Sequence, residues 1–195
     1  MILYLDTETT SLRPGQICQL SYVMQDKNGI RAKNFFFECD SVDYSAYMVH
    51  GFSVEKLKKL SNGLRFIDHA FEIEQDLACA SVVVAHNSSF DLMFLRAEFE
   101  RIGKVLPISQ DFCSMKAMTP VCKLAGRREG FKYPKLVEMC QFFGITDTEI
   151  KEQVKLLFGD CNGFHDARFD TTAVFLAMEH AMERHIEKGF LRDKL

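Results

Sequence analysis

The chain has 195 residues, 47% of them hydrophobic and 26% charged, with a formal net charge of −3. That is enough chain and enough apolar content for one globular domain with its own core, and it excludes disorder as the main state. The slight acidity excludes a global attraction to polyanions, so a nucleic-acid ligand would need a local basic patch or bound cations.

Met1 to Leu5 is a short apolar run, followed by the turn signal Pro14-Gly15, and it predicts a buried first strand. Gln16 to Met24 predicts a second strand, and Arg31 to Glu38, with Phe35-Phe36-Phe37, a third. Asn28-Gly29 supplies hairpin turn chemistry between them. Helical patterns follow. Ser53 is placed to cap a short helix reaching Leu60, and Arg65 to Cys79 carries an apolar stripe of Phe66, Ala70, Phe71, Ile73 and Leu77. The β-branched run Ser81 to Ala85 predicts a buried strand, and Ser88 a cap for a helix over Ser89 to Ile102. A short strand near Asp111 to Ser114 precedes helices over Pro134 to Phe143 and Asp147 to Phe158, and a last helix runs from Asp166 to beyond His185. Three strands followed by helix–strand–helix alternation predict an α/β fold, a mixed sheet flanked by helices. With no repeat, linker or low-complexity tract, residues 1–195 read as a single domain.

Seven cysteines lie at 18, 39, 79, 113, 122, 140 and 161, none in a Cys-x-x-Cys pair, so a structural zinc site is not expected. Their odd number, and a Met1 that leads straight into an apolar strand without a basic leader, point to free thiols in a reducing cytoplasm. No apolar run approaches the length that crosses a bilayer.

Asp6 and Glu8 stand two apart at the end of the first strand, on one face, where both carboxylates can reach one site. Two like charges held together call for a cation or a proton, although an isolated Asp-x-Glu is far more commonly a pair of solvated acids. Asp91 follows the polar turn His86-Asn87-Ser88-Ser89-Phe90 and falls in the first turn of a helix that leaves a strand end. It suits either the helix dipole or convergence with Asp6 and Glu8. His165 and Asp170 are five apart, roughly 140° around a continuous helix. They converge better if His165 precedes the helix and Asp170 lies inside it.

Taken together, Asp6-Thr7-Glu8-Thr9-Thr10, His86-Asn87-Ser88-Ser89-Phe90-Asp91 and His165-Asp166-Ala167-Arg168-Phe169-Asp170 resemble the three motifs of DnaQ-like 3′→5′ exonucleases. The histidine five residues before the last aspartate matches the DEDDh subgroup, and the first block looks closest to DNA polymerase III epsilon-subunit-type proofreading domains. Ile17-Cys18-Gln19-Leu20-Ser21 and Val49-His50-Gly51 resemble further blocks of the family, so that the likeness covers nearly the whole chain. The position of Ser11 often holds Gly in the family, a departure in the turn after the first strand.

The resemblance implies a ribonuclease-H-like fold in which Asp6, Glu8, Asp91 and Asp170 hold two divalent cations, Mg²⁺ or Mn²⁺, with Asp6 bridging them. An all-oxygen donor set suits such hard cations, which clamp the attacking and leaving oxygens of a phosphoryl displacement. His165 is then the general base, histidine offering a neutral, proton-accepting form at physiological pH. By the same resemblance Thr7, Thr9, Leu12, His50 and Phe90 line a pocket for the terminal nucleotide. Leu12 would wedge against the base, and backbone amides near Thr7 would meet the sugar. Phe90 could equally be a core residue at a helix start.

Lys123, Arg127, Arg128, Lys132 and Lys135 stand against one acid, Glu129, in a stretch that Gly126 and Gly130 mark as a flexible loop. With Phe131 and Tyr133 it could guide a single strand, or be only a solvated loop. The substrate expected is the 3′ end of DNA, with an exoribonuclease as the alternative, because nothing in the motifs reads the 2′-hydroxyl. A non-catalytic or partner-dependent nucleic-acid-binding subunit is a third reading, though such a relic would be expected to lack a ligand or the base. A polymerase or another replication or repair protein is a possible partner. A phosphohydrolase built on His165-Asp166 would need more His and Asp ligands in a helical fold, at odds with the β-rich start.

Overall fold

The computed structural model describes residues 1–126, 129–159, 163, 165–186 and 190–195. Strands β1 (Ile2–Thr9), β2 (Ile17–Asp26), β3 (Gly29–Phe36), β4 (Val82–Ala85) and β5 (Asp111–Cys113) form one sheet in the order β3-β2-β1-β4-β5. The first three make an antiparallel meander, while β4 and β5 run parallel to β1. The helices are α1 (Tyr44–His50), α2 (Val54–Leu60), α3 (Phe66–Cys79), α4 (Ser88–Arg101), α5 (Ser114–Cys122), α6 (Leu136–Phe143), α7 (Asp147–Phe158) and α8 (Ala167–Glu183). This is the predicted mixed α/β sheet flanked by helices.

Both faces of the sheet are covered, which is why β1 and β4 read as continuous apolar runs rather than as alternation. On one face Ile2, Tyr4, Val82 and Val84 pack with Ala173, Val174, Ala177 and Met178 of α8. Ala173, Ala177 and Ala181 recur every four residues and are fully buried, so they line the face on which α8 approaches the sheet. On the other face Leu3, Leu5, Tyr22 and Val83 pack with Ile73 and Leu77 of α3 and with Phe94, Leu95 and Phe99 of α4. Among the described residues no helix is long and apolar enough to cross a membrane.

The structure adds two unforeseen helices and corrects two local expectations. Helix α1 was not anticipated: Asp43 makes no side-chain cap bond, and seven residues carry too short a pattern to register. Helix α5 was hidden by Pro120, which it accommodates in its last turn. Ser88 does not cap α4 but is its first residue; Asn87 takes the N-cap position in a left-handed conformation (φ 76°) without a side-chain cap bond, while Ser88 Oγ donates to Asp111 Oδ2 at 2.7 Å. The last helix stops at Glu183, with His185 left-handed (φ 55°), after which Phe190 stacks on Phe112 and Leu191 is fully buried.

Candidate active site

Side chains alternate along β1, so Asp6 and Glu8 continue the parity of Ile2 and Tyr4 and face the α8 side of the sheet. The β1–β2 ladder loses register between Glu8 and Thr9. Such bulges re-aim side chains beside sites. Asp91 arrives from the neighbouring parallel strand: β4 ends, Asn87 turns the chain, and Asp91 falls in the first turn of α4. There the Thr7 amide (3.1 Å) and the Thr7 hydroxyl (2.8 Å) both donate to Asp91 Oδ1.

Asp170 lies in the first turn of α8. His165 precedes that helix in a left-handed conformation (φ 64°), exposed, and its amide donates to Asp170 Oδ2 at 3.1 Å. Ligand-type atoms of Glu8, His165 and Asp170 all lie within 4.8 Å of one another. Among the described residues Asp170 Oδ1 is a buried side-chain atom with no hydrogen-bond partner. A buried, unsatisfied carboxylate oxygen costs desolvation that nothing in the protein offsets, and an acidic cluster of this kind suits a cation.

The electrostatics agree. Burial, and then repulsion by Asp170, Asp91 and Glu8, pushes the Asp6 carboxyl well above its ordinary range. Burial and the charges of Asp170, Asp166 and Asp91 push Glu8 up to about 9. Burial raises Asp91 to about 7 even though the Thr7 bonds pull it down, and raises Asp170 to about 7 against the pull of the His165 amide. Four carboxylates packed this way cannot all ionise without a compensating positive charge.

Beside the acids lies a cavity of about 300 Å³ whose lining includes Thr7, Glu8, Thr9, Leu12, His50 and Phe90. All five residues predicted for a terminal-nucleotide pocket therefore share one cavity, at the small end of the roughly 300–1,000 Å³ typical of ligand sites. Ala46 and Val49 of α1 close its far wall, a contribution hidden with that helix. Leu12 projects from the rim, 79% exposed. His50 uses both ring nitrogens internally: Nδ1 accepts the Phe52 amide (3.0 Å), so Nε2 donates to the Thr9 carbonyl (3.2 Å). Burial lowers its pKa, in keeping with that neutral form. Thr7 lines the cavity, but its amide serves Asp91 rather than standing open to a sugar.

The family model described as RNase_T, Exonuclease, matches residues 3–174. The chain belongs to that family. No curated protein matches it. Solved structures that share the fold include the zinc-bound form of an E. coli exonuclease I–single-stranded DNA complex, 16% identical with a TM-score of 0.74. E. coli exonuclease I in complex with a dA16 oligonucleotide is 14% identical (TM-score 0.71), and exonuclease I from Methylocaldum szegediense 17% identical (TM-score 0.65). Each likeness covers 96% of this chain and 42% of the other, so the chain spans about two-fifths of the exonuclease I chains it matches.

Within this exonuclease-family fold the described part of the basic segment makes two contacts. Ala125 and Phe131 pair in an antiparallel bridge, and Lys132 pairs with Glu138. Phe131 and Tyr133 are exposed, at 52% and 58%. Arg127 and Arg128 lie outside the described residues. Ser11 needs no glycine, since it is not among the left-handed residues and its hydroxyl donates to the Arg13 carbonyl at 2.6 Å.

Sequence reasoning missed the partners that seat the His165 turn. Gln19 and Asp166, both fully buried, join at 2.9 Å across 147 residues of sequence. The signal was a glutamine inside a strand whose two faces are both covered, where a polar side chain must have a partner.

Proposed function

We propose that this exonuclease-family protein is a divalent-cation-dependent 3′→5′ exonuclease that releases nucleoside 5′-monophosphates from single-stranded DNA. The reading rests on one observation: the buried carboxylates of Asp6, Glu8, Asp91 and Asp170 meet His165 beside an open, largely apolar cavity. Asp6, Glu8, Asp91 and Asp170 would hold two cations, Mg²⁺ or Mn²⁺. The oxygen-only carboxylate set and the orphaned Asp170 Oδ1 fit hard cations. When bound, such ions neutralise the phosphate and stabilise the charge on the attacking and leaving oxygens.

The remaining chemistry belongs to the protein. The exposed His165 imidazole takes a proton from the attacking water, whose oxygen bonds to phosphorus as the bond to the 3′ oxygen of the preceding nucleotide breaks. Thr7 fixes the Asp91 carboxylate, and the His165 amide fixes Asp170. The cavity takes the terminal nucleoside, with Leu12 and Phe90 against its base, which selects an end over an interior bond. Lys123, Lys135 and the exposed rings of Phe131 and Tyr133, with Arg127 and Arg128, would guide the strand behind it. DNA is favoured over RNA because the E. coli exonuclease I structures that share the fold hold single-stranded DNA.

The test uses 5′-labelled DNA and RNA single strands of matched sequence, incubated with Mg²⁺, Mn²⁺ or chelator, alongside Asp170→Ala. A metal-dependent ladder shortening from the 3′ end, absent in the variant, supports the proposal, and the faster polymer identifies the substrate. Intact oligomers after incubation with folded, metal-loaded protein would refute it.

A further inference from the structure

The left-handed backbone of His165 is unusual for a residue with a β-carbon and is unfavourable unless the surroundings hold it. What holds it are the partners of the two residues that follow. Asp166, the N-cap of α8, is fully buried. Its Oδ1 accepts from Gln19 Nε2 (2.9 Å), Arg168 Nε (2.9 Å) and the Arg168 amide (3.2 Å), and its Oδ2 from the Arg168 guanidinium (2.6 Å).

Gln19 is also fully buried, in β2, directly across the ladder from Glu8. Its side-chain amide works at both ends. The carbonyl accepts the Ala167 amide, the first of α8, at 3.1 Å, while the NH₂ group reaches Asp166 and, at 2.8 Å, Asn34 Oδ1 on β3. Asn34 Oδ1 in turn accepts the Ser21 hydroxyl at 2.6 Å. One turn further along α8, Thr171 Oγ1 donates to the Ser21 carbonyl at 3.1 Å. A chain of hydrogen bonds therefore runs from β3 through β2 to the two residues that follow His165.

We propose that Gln19 is a positioning residue of the reaction: by gripping Asp166 and the Ala167 amide together it fixes the left-handed His165 turn, and so the place of the imidazole beside Glu8 and Asp170. The inference rests on His165 being the general base. It differs from a plain packing role in acting through one side chain, because a glutamine that only filled space would affect the enzyme whether or not His165 were present.

The experiment compares wild type, Gln19→Met, His165→Asn and the double variant, measuring kcat and KM on a labelled single strand, Mn²⁺ affinity by calorimetry, and hydrogen exchange of the residue-165 and Ala167 amides. Methionine keeps the length of Gln19 and removes both hydrogen-bonding ends. Gln19→Met should lower kcat roughly 10- to 100-fold, as a misplaced catalytic group does, with KM and Mn²⁺ affinity little changed and both amides exchanging faster. In the His165→Asn background the same substitution should leave kcat where it is. Wild-type kcat in Gln19→Met, an equal loss in both backgrounds, or unchanged amide exchange would each overturn the proposal. If Gln19→Met does not fold, Asn34→Ala removes one partner of Gln19 and should show a smaller loss that again vanishes without His165. A wild-type protein that cleaves no oligonucleotide would refute the exonuclease reading instead, and the amide exchange would still decide whether Gln19 holds the turn.

Discussion

Thr7 and Asp91 meet across 84 residues of sequence, with the amide and the hydroxyl of Thr7 ending on the same Asp91 oxygen at 3.1 and 2.8 Å. The contact exists because β4 lies parallel to β1 and delivers the first turn of α4 to the end of β1. Thr7→Val keeps the shape and the amide bond and deletes the hydroxyl bond. A hydrogen bond to a charged group contributes about 1.5–3 kcal/mol. Part of that loss should appear as a fall in Mn²⁺ affinity of about tenfold, read by calorimetric titration. Undiminished affinity would argue that Asp91 holds no cation.

Asp170 should show stability and function moving in opposite directions. Asn at this position keeps an acceptor for the His165 amide and removes a charge that raises the pKa of both Asp6 and Glu8. In chelator, Asp170→Asn should melt about 2–4 °C above wild type, the shift that about 1 kcal/mol produces in a chain of this size. Its metal-dependent hydrolysis should fall at least about 10²-fold. A variant both less stable and fully active would remove Asp170 from the site.

The same repulsion sets a pH dependence. Glu8 is held near 9 and Asp170 near 7 by burial and by the neighbouring carboxylates, and Asp91 near 7 by burial. Unfolded carboxylates titrate near about 4, so between that pH and about 9 the native state holds more protons than the unfolded one. The stability linked to those protons is complete below about pH 4 and is lost as pH rises through the folded values. Melting temperature in chelator should therefore drop from about pH 5 to about pH 9. Saturating Mn²⁺ should flatten the slope, because cation binding displaces the protons. A chelated melting temperature that rises across this interval would contradict the buried carboxylate cluster.

His165 is exposed and contributes its imidazole without burying it, so its loss should leave the fold intact. Alanine would have to occupy the left-handed conformation, whereas asparagine tolerates it, which makes His165→Asn the cleaner variant. Turnover should fall about 10²- to 10⁴-fold, the usual effect of removing a general base, with Mn²⁺ affinity nearly unchanged. Activity equal to wild type would assign the proton transfer elsewhere.

Much of this was legible in the sequence wherever the determining interaction is local. Helix α7 falls on its predicted span because Thr146 accepts the Glu149 amide and Ile150 and Val154 mark its buried side. The meander followed from Asn28-Gly29 and the apolar runs around it. The acids of the site could be picked out because three spaced motifs identify a family, and the structure then brought them together. What stayed hidden depends on distant partners. Helix α1 has no side-chain bond at its N-cap, and its start is tied down by the Asp43 amide donating to the Thr10 carbonyl. Gln19 looks like any polar residue in a strand until α8 arrives 147 residues later to meet it.

Leu12 gives a test free of any stability effect. Its loop is built to present it: Thr9 Oγ1 donates to the Ser11 carbonyl at 2.9 Å, and the Thr10 amide to the Gln16 carbonyl at 2.9 Å. Gly15 passes so close that a β-carbon there would sit 2.6 Å from Thr10 Oγ1 and 2.7 Å from Ser11 Oγ. The side chain so presented is 79% exposed at the rim of the cavity and touches little of the core. Leu12→Ala should thus leave stability within about 0.5 kcal/mol. Burying a leucine side chain against a terminal base contributes on the order of 1.5–3 kcal/mol, so KM for a single strand should rise about tenfold or more. The rise should be the same for strands that differ only at their 5′ ends, because Leu12 would meet only the terminal nucleotide. An unchanged KM would place the 3′ nucleotide outside this cavity.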